Sequence, residues 1–506
     1  MSIDQSLFES VCQTAREAAV FHSAADALEW DERTGMPIAA GDYRAQQVST
    51  LRSTAHRMRT ETRFGDALNS LVENAGDVDP HGDVGATIRG LHRDYQRDCK
   101  LPVELVSKLS VAAVRGQQVW DDARKQDSFE RFKPALVEMI SLKQEAGARL
   151  ADGTEHSVYE ALMDEYEPDA SVQQLAPVFA DLKTRLADLI ARVKDAPNQP
   201  NLDLLRQDFP IAAQREFSRK VAAAVGFDFS RGRLDETSHP FCTTLGPNDC
   251  RILTRYESNW FPSGLYGTLH EAGHGMYEQG MRQDWFGLPP GSFVSLGIHE
   301  SQSRLWENQV GRSRSFWQWL YPQATAAFAN SLAAADLQEI YFAINQVRPS
   351  LIRVEADEAT YNLHILIRFE LEQALIGGEL KVDDLPDAWN QQYQTCLGIQ
   401  PPSDADGVLQ DVHWSAGLFG YFPTYTLGNL AASQLFDAAS EQLGDLDGMF
   451  SRGEFQPLLE WLGKHVHQQG RCYSGSELIE NATGKPLSSD HLMNYLETKL
   501  QPLYGF

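Results

Sequence analysis

The sequence predicts an all-α, mostly helical fold with one small β element, on three observations. Apolar residues recur at three- and four-residue steps through the first 200 positions. Strand-like runs are few, and clusters of Gly, Pro and Asn fall between the periodic stretches and not within them. Taken in order, 107–150 is the longest such stretch, with Leu109, Val111, Val114, Val119, Ala123, Phe129, Phe132, Leu136, Met139, Ile140 and Leu142 as candidate core positions. Breaks are expected at 73–85, 196–202, 287–291 and 400–407; none is long or Ser/Gly-rich enough to be a flexible linker. The runs 227–229, 241–245 and 251–256 are the strand candidates, enough for a short sheet or hairpin edge. Leu265, Leu269, Ala272 and Met276 predict a buried helix over 265–280 despite its three internal glycines. Leu296, Leu305, Trp306 and Val310 predict a second helix after the break at 287–291.

The 506 residues carry 44 basic and 70 acidic side chains, a net charge of −26. A pI near 4.9 repels phosphate backbones and anionic lipid, which argues against nucleic-acid and membrane-surface partners. The amino-terminal residues lack the basic-then-apolar layout of an export signal, and six cysteines are scattered without a CxxC pair. A cytoplasmic protein with mostly buried thiols is the expectation.

The chemistry concentrates in LYGTLHEAGHGMYEQG, 265–280. On a helix His270 and His274 project from one face, one turn apart, so both imidazoles reach a single metal at about 2.0–2.1 Å. Glu271 is offset by one residue, placed to face an activated water without ligating. This is the HExxH pattern of zinc peptidases, in which the Glu is the general base. A third ligand is needed, and His299 and Glu300, in GIHESQSRLWEN, both qualify chemically.

The chain resembles the M32 family of metallocarboxypeptidases. The motifs that carry the likeness are HPF at 239–241, DxRxxTRY at 249–256, HEAGH at 270–274 and HESxSRxWEN at 299–308. After them come IRxxAD at 352–357, GxxQDxHW at 407–414 and the GLFGYFPTYTLGN that follows. Trp30-Asp31, Met36-Pro37 and ELIENATG at 477–484 extend it over essentially the whole chain. The resemblance implies one peptidase domain over 1–506, with 1–200 a helical N-terminal part and 201–506 carrying the metal site and substrate motifs. It implies an elongated helical body split by a deep substrate groove, and a homodimer. Its metal ligands would be His270, His274 and Glu300, with Glu271 as base and His299 a hydrogen-bonded neighbour. One divalent metal per chain is expected, Zn²⁺ with Co²⁺ also suited to this ligand set.

In the same likeness Tyr425 is the donor to the tetrahedral oxyanion, and Arg353 the guanidinium that grips the substrate's free carboxylate by a two-pronged bond. Asp357, one turn on, is a candidate partner for Arg353. Arg251 and Arg348 are alternative carboxylate binders, and His239 and His413 are assigned to the groove. Gln410 and Asp411 are candidates for fixing a ligand's tautomer. His465 and His467 diverge on a helix and are expected to be surface or structural. The expected activity is removal of single residues from peptide C termini with broad specificity. The alternatives are an endo-acting oligopeptidase on the same site and a non-catalytic helical binding protein with a retained zinc.

Overall fold

A computed structural model describes residues 3–332 and 335–506. Four helices open the chain: α1 (Gln5–Thr34), α2 (Gly41–Thr60), α3 (Thr62–Glu73) and α4 (Asp83–Lys100). They share a small apolar cluster, in which Phe8, Val11, Phe64, Leu68, Leu71, Ile88 and Leu91 meet Leu288 from a distant loop. The rest of the core is continuous and runs from Ala112 to Tyr504. No described helix is long and apolar enough to cross a membrane.

The stretch 107–150 is two helices, Val103–Lys125 and Phe129–Ala151, divided where Asp127 takes a positive φ of 50°. Val111 and Val114 are exposed, so the apolar stripe is narrower than the sequence suggests. The breaks at 73–85 and 196–202 fall between helices as expected.

The β element is a three-stranded sheet of β1 (Gly232–Glu236), β2 (Phe241–Thr244) and β3 (Cys250–Thr254), in the order β1-β3-β2. β1 runs parallel to β3 and β2 antiparallel to it. The sequence expectation is corrected at one strand. Residues 227–229 are not a strand; Phe227 is instead buried against the HExxH helix, and the polar run at 232–236 supplies β1 because β3 offers it an unpaired edge.

That helix spans Phe261–Gly280, with Pro262 in its first turn, where a missing N–H costs nothing. Its glycines are contact points. A Cβ at Gly275 would lie 2.5 Å from Phe227 and 3.0 Å from Ile252 of β3, so the helix lies close on the sheet. A Cβ at Gly273 would lie 2.6 Å from the backbone of Gln302 and Ser303, so the next helix, Leu296–Arg304, also approaches closely. The helix-propensity cost of these glycines, about 1 kcal/mol each, is offset by packing on two sides.

Candidate metal centre

The helix Leu296–Arg304 starts from Ser295, whose hydroxyl accepts from the Ile298 N–H, and continues into a π turn, Leu305–Val310. It carries Glu300 beneath the two histidines. Glu300 Oε2 lies 3.7 Å from His270 Nε2 and 3.5 Å from His274 Nε2. Among the described residues this is the one cluster with metal-ligating atoms so arranged. Ligand atoms about 2.0–2.1 Å from a tetrahedral ion stand about 3.3 Å apart, and the three here all lie within 4.8 Å of one another, close enough to draw in around one divalent ion.

Which nitrogen faces the ion is fixed from behind. His270 Nδ1 is 3.0 Å from Glu307 Oε2, and His274 Nδ1 is 3.0 Å from the carbonyl of His299. Both Nδ1 atoms are therefore donors, and both Nε2 lone pairs point to the shared centre. Glu307 is flanked by Arg304 and Arg312, each 3.3 Å away, and Arg304 Nε donates to Glu300 Oε1 at 2.7 Å. Burial would raise the Glu307 pKa, but Arg304 and His270 hold it down at about 2. Glu300, buried beside the same arginine and histidine, is likewise held well below the usual carboxylate range. Glu307 and Arg304 were not singled out from sequence. The signal was present: 300, 304 and 307 fall on one helical face.

Glu271 lines the same cleft, and its Oε2 is buried without a hydrogen-bond partner. Burial pushes its pKa up to about 7. A buried carboxylate oxygen with no partner, beside His270, His274 and Glu300, is chemically able to accept a proton there.

The cleft has a volume of about 940 Å³. Its floor is the metal cluster; one wall is formed by α1, through Ala15, Ala19, His22, Ser23 and Asp26, with Arg59 of α2 and Asp94 of α4. The opposite wall includes Tyr421, Thr424 and Tyr425, at the start of the helix Pro423–Leu443. Gly428 of this helix passes directly over Glu300: a Cβ there would lie 2.5 Å from Glu300 Cγ. Burial holds the Tyr425 phenol well above its usual pKa, so it stays protonated. Its Oη is 3.3 Å from His413 Nε2. His413 Nδ1 is buried and unpartnered, and burial lowers the ring's pKa to about 4. His413 Nδ1 also lies 3.8 Å from Asp411 Oδ1, so the ring spans from the Arg353–Asp411 pair to the Tyr425 hydroxyl and holds the phenol at the cleft.

Arg353 lies behind Tyr425, its guanidinium carbon 5.2 Å from that ring, and is 5% exposed. Its partner is Asp411, not Asp357: Nε donates to Asp411 Oδ1 at 2.9 Å and Nη2 at 2.8 Å, while Nη1 donates to Tyr361 at 3.0 Å. Asp357 is turned away, accepting from the backbone N–H groups of Arg348, Ala359 and Thr360. Asp411 also pairs with Arg368, which is fully buried, at 2.6 Å. Three of the five guanidinium N–H groups of Arg353 are thus committed, and one remains on each terminal nitrogen. Gln410 accepts from the Arg353 backbone N–H and Asp411 from the Arg353 and Arg368 side chains, so both are engaged away from His270, His274 and Glu300. The tautomer-fixing partners are Glu307 and the His299 carbonyl instead.

Arg251 lies on β3, paired with Asp249 at 2.9 Å and stacked on Trp30 at 4.2 Å. Arg348 and His239 are exposed, His239 in the β1–β2 turn next to Pro240, which lines the cleft. His299 faces the cleft with Nε2 on Glu278, not on the metal cluster. His467 is buried against Gln302. Cys242 and Cys250, on neighbouring strands, are free thiols with sulfurs 3.7 Å apart.

Comparison with known proteins agrees across the full length. Residues 10–500 match the family model described as Carboxypeptidase Taq (M32) metallopeptidase. Thermostable carboxypeptidase 1 of Thermus thermophilus is 42% identical over 508 residues, covering 99% of each chain. Carboxypeptidase 1 of Bacillus subtilis is 37% identical over 96% of each. Among solved structures, the M32 carboxypeptidase of Deinococcus radiodurans superposes with a TM-score of 0.95 at 37% identity, covering 99% of this chain and 100% of that one.

Proposed function

This chain belongs to the carboxypeptidase Taq (M32) metallopeptidase family, and on that premise we infer how its own residues divide the work of a metal-dependent carboxypeptidase. The substrates of such an enzyme are peptides, and the bond hydrolysed is the one before the C-terminal residue. The observation that carries the assignment of roles is the convergence of His270 Nε2, His274 Nε2 and Glu300 Oε2 beside the unpartnered Glu271 Oε2. When bound there, a divalent ion, read here as Zn²⁺ with Co²⁺ as the chemical alternative, supplies positive charge that polarises a carbonyl and acidifies water.

Glu271 Oε2 takes the proton of the attacking water and passes it to the leaving amine. Tyr425 donates its phenolic proton to the oxygen on which negative charge develops, held in place by His413. Arg353 offers its two remaining N–H groups to the substrate's terminal carboxylate, while Arg368 keeps Asp411 charged and in position behind it. His239, at the cleft rim, is read as a contact to the peptide backbone. Arg251 and Arg348, turned toward Asp249 and toward solvent, take no substrate contact in this reading. Broad specificity is supported by a cleft lined with mixed polar and apolar groups. A main core continuous from Ala112 to Tyr504, with α1, α2 and α4 lining the same cleft, supports action of the whole chain as one peptidase unit. Free thiols throughout support a reducing, cytosolic setting, and a homodimer remains the family-based expectation.

The test is single-residue release from two matched peptides, one with a free and one with an amidated C terminus. Enzyme is compared metal-loaded, chelator-stripped and as Glu271→Gln. Release from the free-ended peptide alone, only with metal and only with Glu271, is expected. Internal cleavage of both peptides would move the assignment to an endopeptidase.

A further inference from the structure

The side chains of His299 and Glu278 take no part in the chemistry described, yet both line the cleft beside the metal cluster. Glu278 follows His274 by four residues, so His270, His274 and Glu278 form one stripe on the HExxH helix. His299 precedes Glu300 on the facing helix. Its ring stands 4.5 Å from that of His274 and is boxed by Tyr277 and Phe293, each 5.2 Å away. His299 Nε2 is 2.9 Å from Glu278 Oε1, and Thr244 of β2 donates to Glu278 Oε2 at 2.9 Å. His299 Nδ1 lies 2.5 Å from His274 Nδ1.

One arrangement of protons gives every one of these contacts a donor and an acceptor. Glu278 accepts from Thr244 and from His299 Nε2–H, so His299 Nδ1 carries a lone pair. His274 Nδ1–H then donates into the space shared by the His299 carbonyl and His299 Nδ1, and His274 Nε2 is left bare toward Glu300. We propose that His299 and Glu278 are a positioning pair: a Thr244–Glu278–His299 chain that adds to the hold of the His299 carbonyl on His274, fixes the ring angle of that ligand and so sets how tightly the site holds its metal.

The two ligand histidines are thereby held differently. His270 is backed directly by a carboxylate, Glu307, whereas His274 is backed by a carbonyl and an imidazole whose carboxylate lies one step further out. The function of the pair lies in the direction of its hydrogen bonds and not in charge on Glu278. An amide carbonyl at 278 therefore preserves it, and an apolar side chain does not.

The inference rests on the reading of His270, His274 and Glu300 as ligands, and the experiment separates the two. Co²⁺ alone is titrated into metal-free enzyme, with its visible absorption band and its loss to a competing chelator as readouts. His299→Leu and Glu278→Leu are expected to weaken Co²⁺ about 10- to 100-fold and to alter the band. Glu278→Gln is expected to stay within a few-fold of the wild type in both. If wild-type protein shows no Co²⁺ band, the ligand assignment itself fails. If the wild type binds and both Leu variants hold Co²⁺ as tightly, the positioning pair is overturned while the ligands stand. A rise in KM with unchanged Co²⁺ affinity overturns it too, in favour of direct substrate contact. Should His299→Leu not fold, the contrast between Glu278→Leu and Glu278→Gln decides alone.

Discussion

The floor of the cleft packs backbone against backbone, whereas the facing wall, α1 to α4, rests on a small apolar cluster of its own. At the floor, Gly273 lets the HExxH helix meet the Glu300 helix, and Gly428 lets a third helix cover Glu300. The polar groups there are buried and paired in series, from Glu300 through Arg304 and Glu307 to Arg312. On the facing wall some ion pairs are half-exposed, such as Arg52 with Asp26 and Glu29, and Ile38 and Tyr43 are exposed outright. The lesson is about preorganisation. Ligand atoms that must converge within a few tenths of an ångström need neighbours that cannot shift, and a wall that only bounds a peptide does not.

The largest expected effect breaks the floor. Gly428→Ala places a methyl within 2.7 Å of Glu300 Cβ and Cγ, and displacing that carboxylate should lower kcat/KM about a hundredfold. Steady-state kinetics at saturating metal reads it, and wild-type rates would show that the close approach is dispensable. Leu68→Ala, in the fully buried centre of the N-terminal cluster, sharpens the contrast. It should cost about 2–4 kcal/mol and speed hydrogen exchange in α1, α3 and α4, while the HExxH helix keeps its protection. Equal loss of protection in both regions would mean the two walls unfold as one.

A smaller effect concerns pH. Glu167 accepts from the Gly297 N–H and from Thr424, tying the Glu300 helix to the Tyr425 helix, and burial pushes its pKa up to about 7. A folded-state pKa above the unfolded value contributes stability below the unfolded pKa, and that stability is lost as pH rises through the folded one. Wild-type protein should therefore lose on the order of 2 kcal/mol at this site between pH 5 and pH 7, and Glu167→Gln should remove that share of the slope. Urea titrations at the two pH values test it. The smallest effect is Arg149→Ala: its pair with Glu145 is exposed, and the change should stay within about 0.5 kcal/mol.

Much of this was legible from sequence for a physical reason. Helical periodicity and the HExxH spacing are local, so they name the fold class, the two histidines and Glu271 without any tertiary knowledge. Even the stripe 300, 304, 307 was present, though only its first member was read. The identity of Arg353's partner was not legible. Asp357 is nearer in sequence, yet its carboxylate is drawn to local backbone N–H groups, and Asp411 arrives from 58 residues away.

The sequence by itself determined a helical fold with the HExxH pair and its intervening glutamate, because those signals depend on spacing within one or two turns. The third ligand, 26 residues on, stayed open between His299 and Glu300 until the family resemblance chose. Tertiary structure alone decided where glycines let helices meet, which carboxylate backs which histidine, and that Arg251 stacks on Trp30. Those choices depend on which distant segments a folded core brings within 3 Å, and no local pattern encodes that.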